Sequence, residues 1–208
     1  MIAVEKTTLV LLAAGASRRF GDDDKLDEAF LGRPLGLHVA VALEDMPFQE
    51  RIAVVDSCRI DYAQHGFRVI HNREAEQGMA SSLKLGVAAA RAAGANAVVI
   101  ALADMPRVTA AHLYRLFDAA TNAGSVVASS DGRTPKPPGL FGSDRFDVLM
   151  QLTGPTGARD LLRAGRHVVT APAELIDIDT PADLQRLREL VHSGEAITRA
   201  TARRVTDG

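Results

Sequence analysis

An α/β fold around a largely parallel sheet is what this sequence predicts, on two observations. Short β-rich runs recur at 9–12, 52–55, 67–70, 98–102, 126–129 and 168–170, separated by stretches with helical spacing. Such alternation is the pattern of strands joined by crossover helices. The second observation is where two of these runs lead. Leu9–Leu12 opens into a loop of small residues, and Val98–Leu102 runs into Ala103, Asp104, Met105 and Pro106. In an open parallel sheet the carboxyl ends of the strands line the ligand crevice, so both endings face one place.

The first loop reads Ala13-Ala14-Gly15-Ala16-Ser17-Arg18-Arg19-Phe20-Gly21, then three aspartates and Lys25. Tiny side chains let backbone N–H groups approach a ligand, and two arginines and a lysine can neutralise a polyphosphate. An ordinary strand-to-helix turn with a solvated basic face fits the same residues. No Gly-Lys-Ser or Gly-Lys-Thr follows the glycine, and the three-glycine dinucleotide spacing is absent, which excludes those two phosphate loops.

Pro34–Glu44, with Leu35, Val39 and Leu43 at four-residue steps, and Ser82–Ala93, with Leu83, Val87 and Ala90 on one stripe, are expected as amphipathic helices. A third helix is expected from an N-cap at Thr109 to Ala120, closed by Asn122 and Gly124. Asp131–Gly142 is rich in Pro and Gly and is expected as an excursion over the sheet rather than a central strand. Helical patterns return at 144–151 and 158–162, a short strand is expected at Leu175–Ile178, and Thr180-Pro181 starts a closing helix that reaches His192.

At 47% hydrophobic content over 208 residues the chain fills one domain, 1–192, with 193–208 as a tail lacking apolar period. A net charge of −2 provides no global field toward nucleic acid or an anionic membrane, so an anion site must be local. Cys58 is the only cysteine, which excludes an internal disulfide and argues against a thiolate-rich zinc site. A monomer in a reducing cytoplasm is expected, without membrane insertion or a cleaved leader.

Several residues are candidates for chemistry. Asp104 beside a triphosphate requires an intervening cation, which points to Mg²⁺; a turn or capping aspartate is the alternative. Asp179 is a second candidate ligand if its segment neighbours that of Asp104, whereas Asp177 either shares its face or is solvated. Asn72 ends a strand, and Gly78, Ser81 and Ser82 stand where a helix begins, either near a base and ribose or as caps. Gly154-Pro155-Thr156-Gly157-Ala158-Arg159 feeds a helix and suits a second anion or a plain surface loop. Histidines such as His71 lack ligand spacing, and Met46, Met79, Met105 and Met150 are expected in the core.

In this order the segments resemble the MobA-like nucleotidyltransferases, most closely the molybdenum cofactor cytidylyltransferases. Leu12–Gly21 with Lys25 is similar to the family's Leu-Ala-Ala-Gly-x-Ser-x-Arg-Met-Gly and later Lys, with Phe20 replacing Met. Leu102, Asp104 and Pro106 match Leu-x-Asp-x-Pro; Asn72 and Gly78–Leu83 match the Asn and Gly-Met-x-Ser-Ser-Leu segment. Gly154, Gly157, Ala158 and Arg159 match a late Gly-Asp-x-Gly-Ala-Arg, with Pro155 where Asp is usual, and Asp177–Leu184 matches the closing Asp-Ile-Asp-Thr-Pro-x-Asp-Leu.

The resemblance implies a three-layer α/β/α sandwich of the nucleotide-diphospho-sugar transferase (glycosyltransferase-A-like) kind. It implies transfer of a nucleoside monophosphate to the terminal phosphate of molybdenum-bound molybdopterin, with pyrophosphate released. Nucleotide contacts would fall on Leu12, Ala13, Ala14, Gly15, Ser17, Arg19, Lys25, Asn72, Gly78, Ser81 and Ser82. Lys25, Arg19 and Asp104 would be catalytic, Asp104 and Asp179 would hold Mg²⁺, and Gly157 and Arg159 would meet the acceptor. CTP-using members carry Leu-Ala-Ala-Gly and GTP-using members Leu-Ala-Gly-Gly, so Ala13-Ala14 implies CTP, with GTP the nearest alternative. A molybdoenzyme apoprotein would receive the product, and a non-catalytic carrier of the cofactor is the alternative outside enzymes.

Overall fold

The computed structural model describes residues 1–15, 20 and 24–192. Strand β1 (Thr7–Ala13) is buried along its whole length, as a continuous apolar run in the middle of a parallel sheet must be. A two-residue hairpin follows, β2 (Ala29–Phe30) with β3 (Arg33–Pro34), and then α1 (His38–Ala42), β4 (Glu50–Val55) and β5 (Arg68–His71). Next come α2 (Met79–Ala92), β6 (Ala97–Leu102), α3 (Ala110–Ala119), β7 (Val126–Ser130) and β8 (Pro135–Gly142). The chain continues through α4 (Phe146–Gln151), α5 (Arg159–Ala164) and β9 (Arg166–Val169) to a helix α6 over residues 181–192. Among the described residues no helix is long and apolar enough to cross a membrane.

The seven-stranded sheet has the order β5-β4-β1-β6-β8-β7-β9. All its pairings are parallel except those of β8, which runs antiparallel to both neighbours. Alternation along β1 sends Leu9, Leu11 and Ala13 to one face and Val10 and Leu12 to the other. On the first face they meet Val39 of α1 and Leu113 and Leu116 of α3; on the second, Leu83 and Val87 of α2, Leu149 of α4 and Leu162 of α5. The α/β expectation therefore holds, with helices on both faces of a mostly parallel sheet. A small third cluster joins Phe30 and Leu35 to Ile178, Leu184 and Leu187.

Three local expectations are corrected. The 34–44 helix is shorter: a 3₁₀ turn at Leu35–Leu37 leads into α1. Pro34 is committed to pairing with Ala29, and Leu35 leaves the stripe for the third cluster while Val39 and Leu43 enter the main core. Leu175–Ile178 is not a strand but the end of a 3₁₀ turn (Pro172–Leu175) and an extended return. A single bond, Ile178 N to the Asp104 carbonyl at 3.0 Å, replaces a ladder.

The third correction is the largest, because the supposed excursion contains an interior strand. Its prolines sit where pairing is one-sided: β6 takes only Gly139–Gly142, and Pro135 and Lys136 pair with β7 beyond a register shift at Ala128/Ser129. A missing N–H there interrupts no two-sided ladder. Glycine serves the other end, since a Cβ on Gly142 would lie 2.1 Å from the Ala123 carbonyl oxygen. The capping expectations fare better. Thr109 Oγ1 accepts from His112 N, and Thr180 and Asp183 bond reciprocally at the start of α6.

Gly142→Ala is expected to lower stability by about 1–3 kcal/mol through this backbone clash. Urea unfolding would show it as a lower midpoint, and an unchanged midpoint would remove Gly142 from the reasons β8 lies where it does.

Candidate active site

The carboxyl ends of β1 and β6 open onto two adjoining clefts. The first, of about 390 Å³, is lined by Leu12, Ala13, Ala14 and Gly15 from the end of β1, with Lys25, Gly78, Ser82 and Asp104 among its other walls. The second, of about 400 Å³, has an apolar floor of Leu83, Ile100, Phe141 and Leu162 and a polar rim including Lys136, Arg159, Arg163, Asp177 and Asp179. Met79, Leu102, Asp104 and Pro155 border both. Asp104 therefore stands on the partition.

Lys25 stands beside it. The 3₁₀ turn Lys25–Asp27 is capped by Asp24, whose carboxylate accepts from Leu26 N, and this aims the Lys25 side chain inward. Its Nζ donates to Asp104 Oδ2 at 2.6 Å, to the Ile178 carbonyl at 2.8 Å and to Asp179 Oδ1 at 3.3 Å. Burial draws the Lys25 pKa down, but Asp104 and Asp179 outweigh it and hold the ammonium above its usual range. Asp104 is pushed up by burial, opposed by Lys25 and reinforced by Asp179 and Asp177. Two carboxylates, those of Asp104 and Asp179, thus converge on one ammonium.

The donor set suits a hard divalent ion. Asp104 Oδ1 is buried and has no hydrogen-bond partner among the described residues, while Asp179 reaches the same ammonium as Asp104. Among the described residues no three or more His, Cys, Asp or Glu converge to hold a metal by themselves. A pair of carboxylates can hold Mg²⁺ when substrate phosphate oxygens and water complete its shell.

Not every sequence candidate reaches a cleft wall. Ser17 and Arg19 lie outside the described residues. Asn72 is buried and donates to both Ser81 Oγ and Ser82 Oγ at 2.8 Å, and its Oδ1 accepts from Glu74 N. Ser81 Oγ lies 2.8 Å from the Gly78 carbonyl. These two residues shape the turn that presents Gly78 and Ser82. Gly78 adopts a φ of +99°, and a Cβ there would lie 3.0 Å from Gly154 and Pro155, so the two loops seat against each other. Arg159 is exposed on the rim of the second cleft, and Gly157 is buried in the turn before α5.

Some wall residues escaped the sequence reading. Met79 was expected in the core with Met46 and Met105; those two are buried, but Met79 is 37% exposed on the partition. As the first residue of α2 it lies at the helix end nearest the crevice. Lys136, which lies 3.4 Å from Asp177, was hidden in the segment expected to be an excursion. Arg163 carried a signal, since it follows Arg159 by four residues on one helix and thus shares its face.

The fold and the paired clefts define an α/β nucleotidyltransferase. The chain belongs to the MobA-like NTP transferase domain family, whose model matches residues 9–170. It is 32% identical over 200 residues to the purine catabolism protein PucB of Bacillus subtilis (strain 168), covering 86% of this chain and 94% of that protein. It is 33% identical over 190 residues to a molybdenum cofactor guanylyltransferase of Cereibacter sphaeroides, covering 88% and 95%. Among solved structures, Rv0371c of Mycobacterium tuberculosis H37Rv in complex with manganese superposes with a TM-score of 0.71 at 22% identity, over 88% of this chain and 98% of that one.

Lys25→Met leaves the buried Asp104 carboxylate without its cation and is expected to cost about 3 kcal/mol of stability. Adding Asp104→Asn should recover part of the loss in the same unfolding assay. A Lys25→Met protein as stable as the parent would show that the pair contributes nothing to folding.

Proposed function

We propose that the protein transfers CMP from CTP to the terminal phosphate of molybdenum-bound molybdopterin, releasing pyrophosphate. The observation that carries this reading is the partition itself: two clefts of similar size share Asp104, with Lys25 beside it. A nucleotidyl transfer needs two phosphate-bearing substrates brought together at such a point. The molybdopterin-type acceptor is supported by relatives named molybdenum cofactor guanylyltransferase.

In this reading the nucleotide occupies the first cleft, with the backbone of Ala13–Gly15 against its phosphates and Gly78 and Ser82 toward base and ribose. Asp104 and Asp179 would hold Mg²⁺, which supplies charge neutralisation at the reacting phosphates. Lys25 and Arg19 steady the triphosphate, and Arg159 and Gly157 serve the acceptor side. The acceptor phosphate oxygen attacks the α-phosphorus in line, the bond to the β-phosphate oxygen breaks, and pyrophosphate departs. The protein positions two anions and offsets their repulsion, so no covalent enzyme nucleophile is required.

CTP is favoured by the Ala13-Ala14 pair; Ala14 lies on the wall of the first cleft, and with its backbone toward the phosphates its methyl group would narrow the neighbouring space for a base. GTP is the second reading, supported by guanylyltransferase relatives that are 31–33% identical. Pyrophosphate release with molybdenum-molybdopterin and each of CTP, GTP, ATP and UTP tests the choice. CTP should be preferred, and Ala14→Gly should shift the ratio toward GTP; a parent enzyme that prefers GTP rejects the cytidylyl reading. Chelation of divalent metal should stop release, and Lys25→Ala should slow single-turnover transfer by roughly 10²–10³-fold.

A further inference from the structure

On the sheet face opposite the apolar floor of the second cleft lies a buried polar chain with no part in the reaction above. His112, in the first turn of α3, has 0% exposure. Its Nδ1 is 3.1 Å from Arg115 Nη2 and its Nε2 is 2.7 Å from Ser129 Oγ, which is 2.6 Å from the Pro138 carbonyl oxygen. A guanidinium can only donate, so Nδ1 accepts and the ring proton resides on Nε2. The imidazole then donates to Ser129, and the serine's one proton goes to Pro138. Donation runs in one direction from cation to carbonyl.

Both ends of this chain reach the acceptor side. Pro138 lies in β8 between Pro137 and Gly139, which line the second cleft. Arg115 also donates to Thr170 Oγ1 at 2.8 Å and lies 3.7 Å from Glu174, which accepts from Thr109 and Thr170. Glu174 belongs to the 3₁₀ turn that leads to Asp177 and Asp179 on the facing rim. We propose that His112, held as the Nε2–H tautomer, is a positioning residue that fixes the β8 wall against the 172–179 segment and thereby sets affinity for the acceptor. This rests on the reading of the second cleft as the acceptor site.

A second proton would fall on Nδ1, directly facing Arg115, and would break the chain. Burial and Arg115 hold the imidazole below its ordinary value of 6.5, with Glu174 pulling upward. These are the charged groups that act on it: β7 presents the Ser129 hydroxyl, β8 the Pro138 carbonyl, and β9 gives only the Val169 carbonyl to Arg115. With its folded pKa lowered, His112 keeps the chain intact at neutral pH. The stability it contributes declines as pH falls from 6.5, and the ordering itself is lost as pH falls through the lowered value of the folded protein.

The test uses the full chain as parent, His112→Ala and His112→Gln, since a glutamine amide can donate to Ser129 without titrating. His112→Ala should raise the acceptor KM by about tenfold, the scale of one buried hydrogen bond, with kcat and the nucleotide KM unchanged. His112→Gln should restore the acceptor KM and abolish the rise that the parent shows in acid. Equal effects on both substrates, or an acid rise persisting in His112→Gln, overturn the proposal. Amide NMR signals of Lys136 and Gly139 provide a readout that needs no acceptor: they should titrate with the His112 imidazole in the parent and stay fixed in His112→Gln. Failure of that titration overturns the positioning role. An intact titration with no transfer to molybdopterin supports it and overturns only the acceptor assignment.

Discussion

A single ammonium group ties the molecule together at its crevice. Lys25 Nζ binds Asp104, at the end of β6, and both the Ile178 carbonyl and Asp179, in the return before α6. These partners are 79, 153 and 154 residues away along the chain. The lysine thus joins three segments that share no continuous strand, and it does so in a buried setting where an unpaired charge is costly. The same arrangement leaves Asp104 Oδ1 unbonded among the described residues. The two oxygens of one carboxylate thus differ: Oδ2 is held by the lysine, and Oδ1 is buried without such a partner.

Two further features support that convergence. The small apolar cluster of Phe30, Leu35, Ile178, Leu184 and Leu187 packs the N-terminal hairpin against the return and α6, so the segments bearing Lys25 and Asp179 approach through their own contacts. On the other flank, Asn72 spends its amide on Ser81 and Ser82 and sets the start of α2 against the 154–155 turn. The walls of both clefts are then held by packing and hydrogen bonds that leave their inner surfaces open to a ligand.

Much of this could be read from residue order. The strand at Leu9–Leu12, the small-residue loop after it, and the carboxylate after Val98–Leu102 were legible because a parallel sheet places strand ends together. The helix starts at Thr109 and Thr180 were legible because capping is local. What escaped was non-local. The prolines of 135–138 tell against a strand unless it is known that only β7 pairs there, and Leu175–Ile178 alternates like a strand although one backbone bond, the Lys25 ammonium and apolar packing dock it in place of a ladder. Met79 illustrates the same limit, since its type predicts burial and its place at the tip of α2 decides exposure.

The reversed strand β8 has a mechanical consequence. Within the sheet, the four strands β5-β4-β1-β6 meet the remaining three along one seam, where Ala97–Ile100 pair with Gly142–Gly139. Two of the four residues on the β8 side are glycines, which add backbone bonding but no side chains to stiffen the join. The other two, Leu140 and Phe141, are buried, as are Ala97–Ile100 opposite them, so the reversed strand carries one continuous core across the join and holds the two parts of the sheet as one piece.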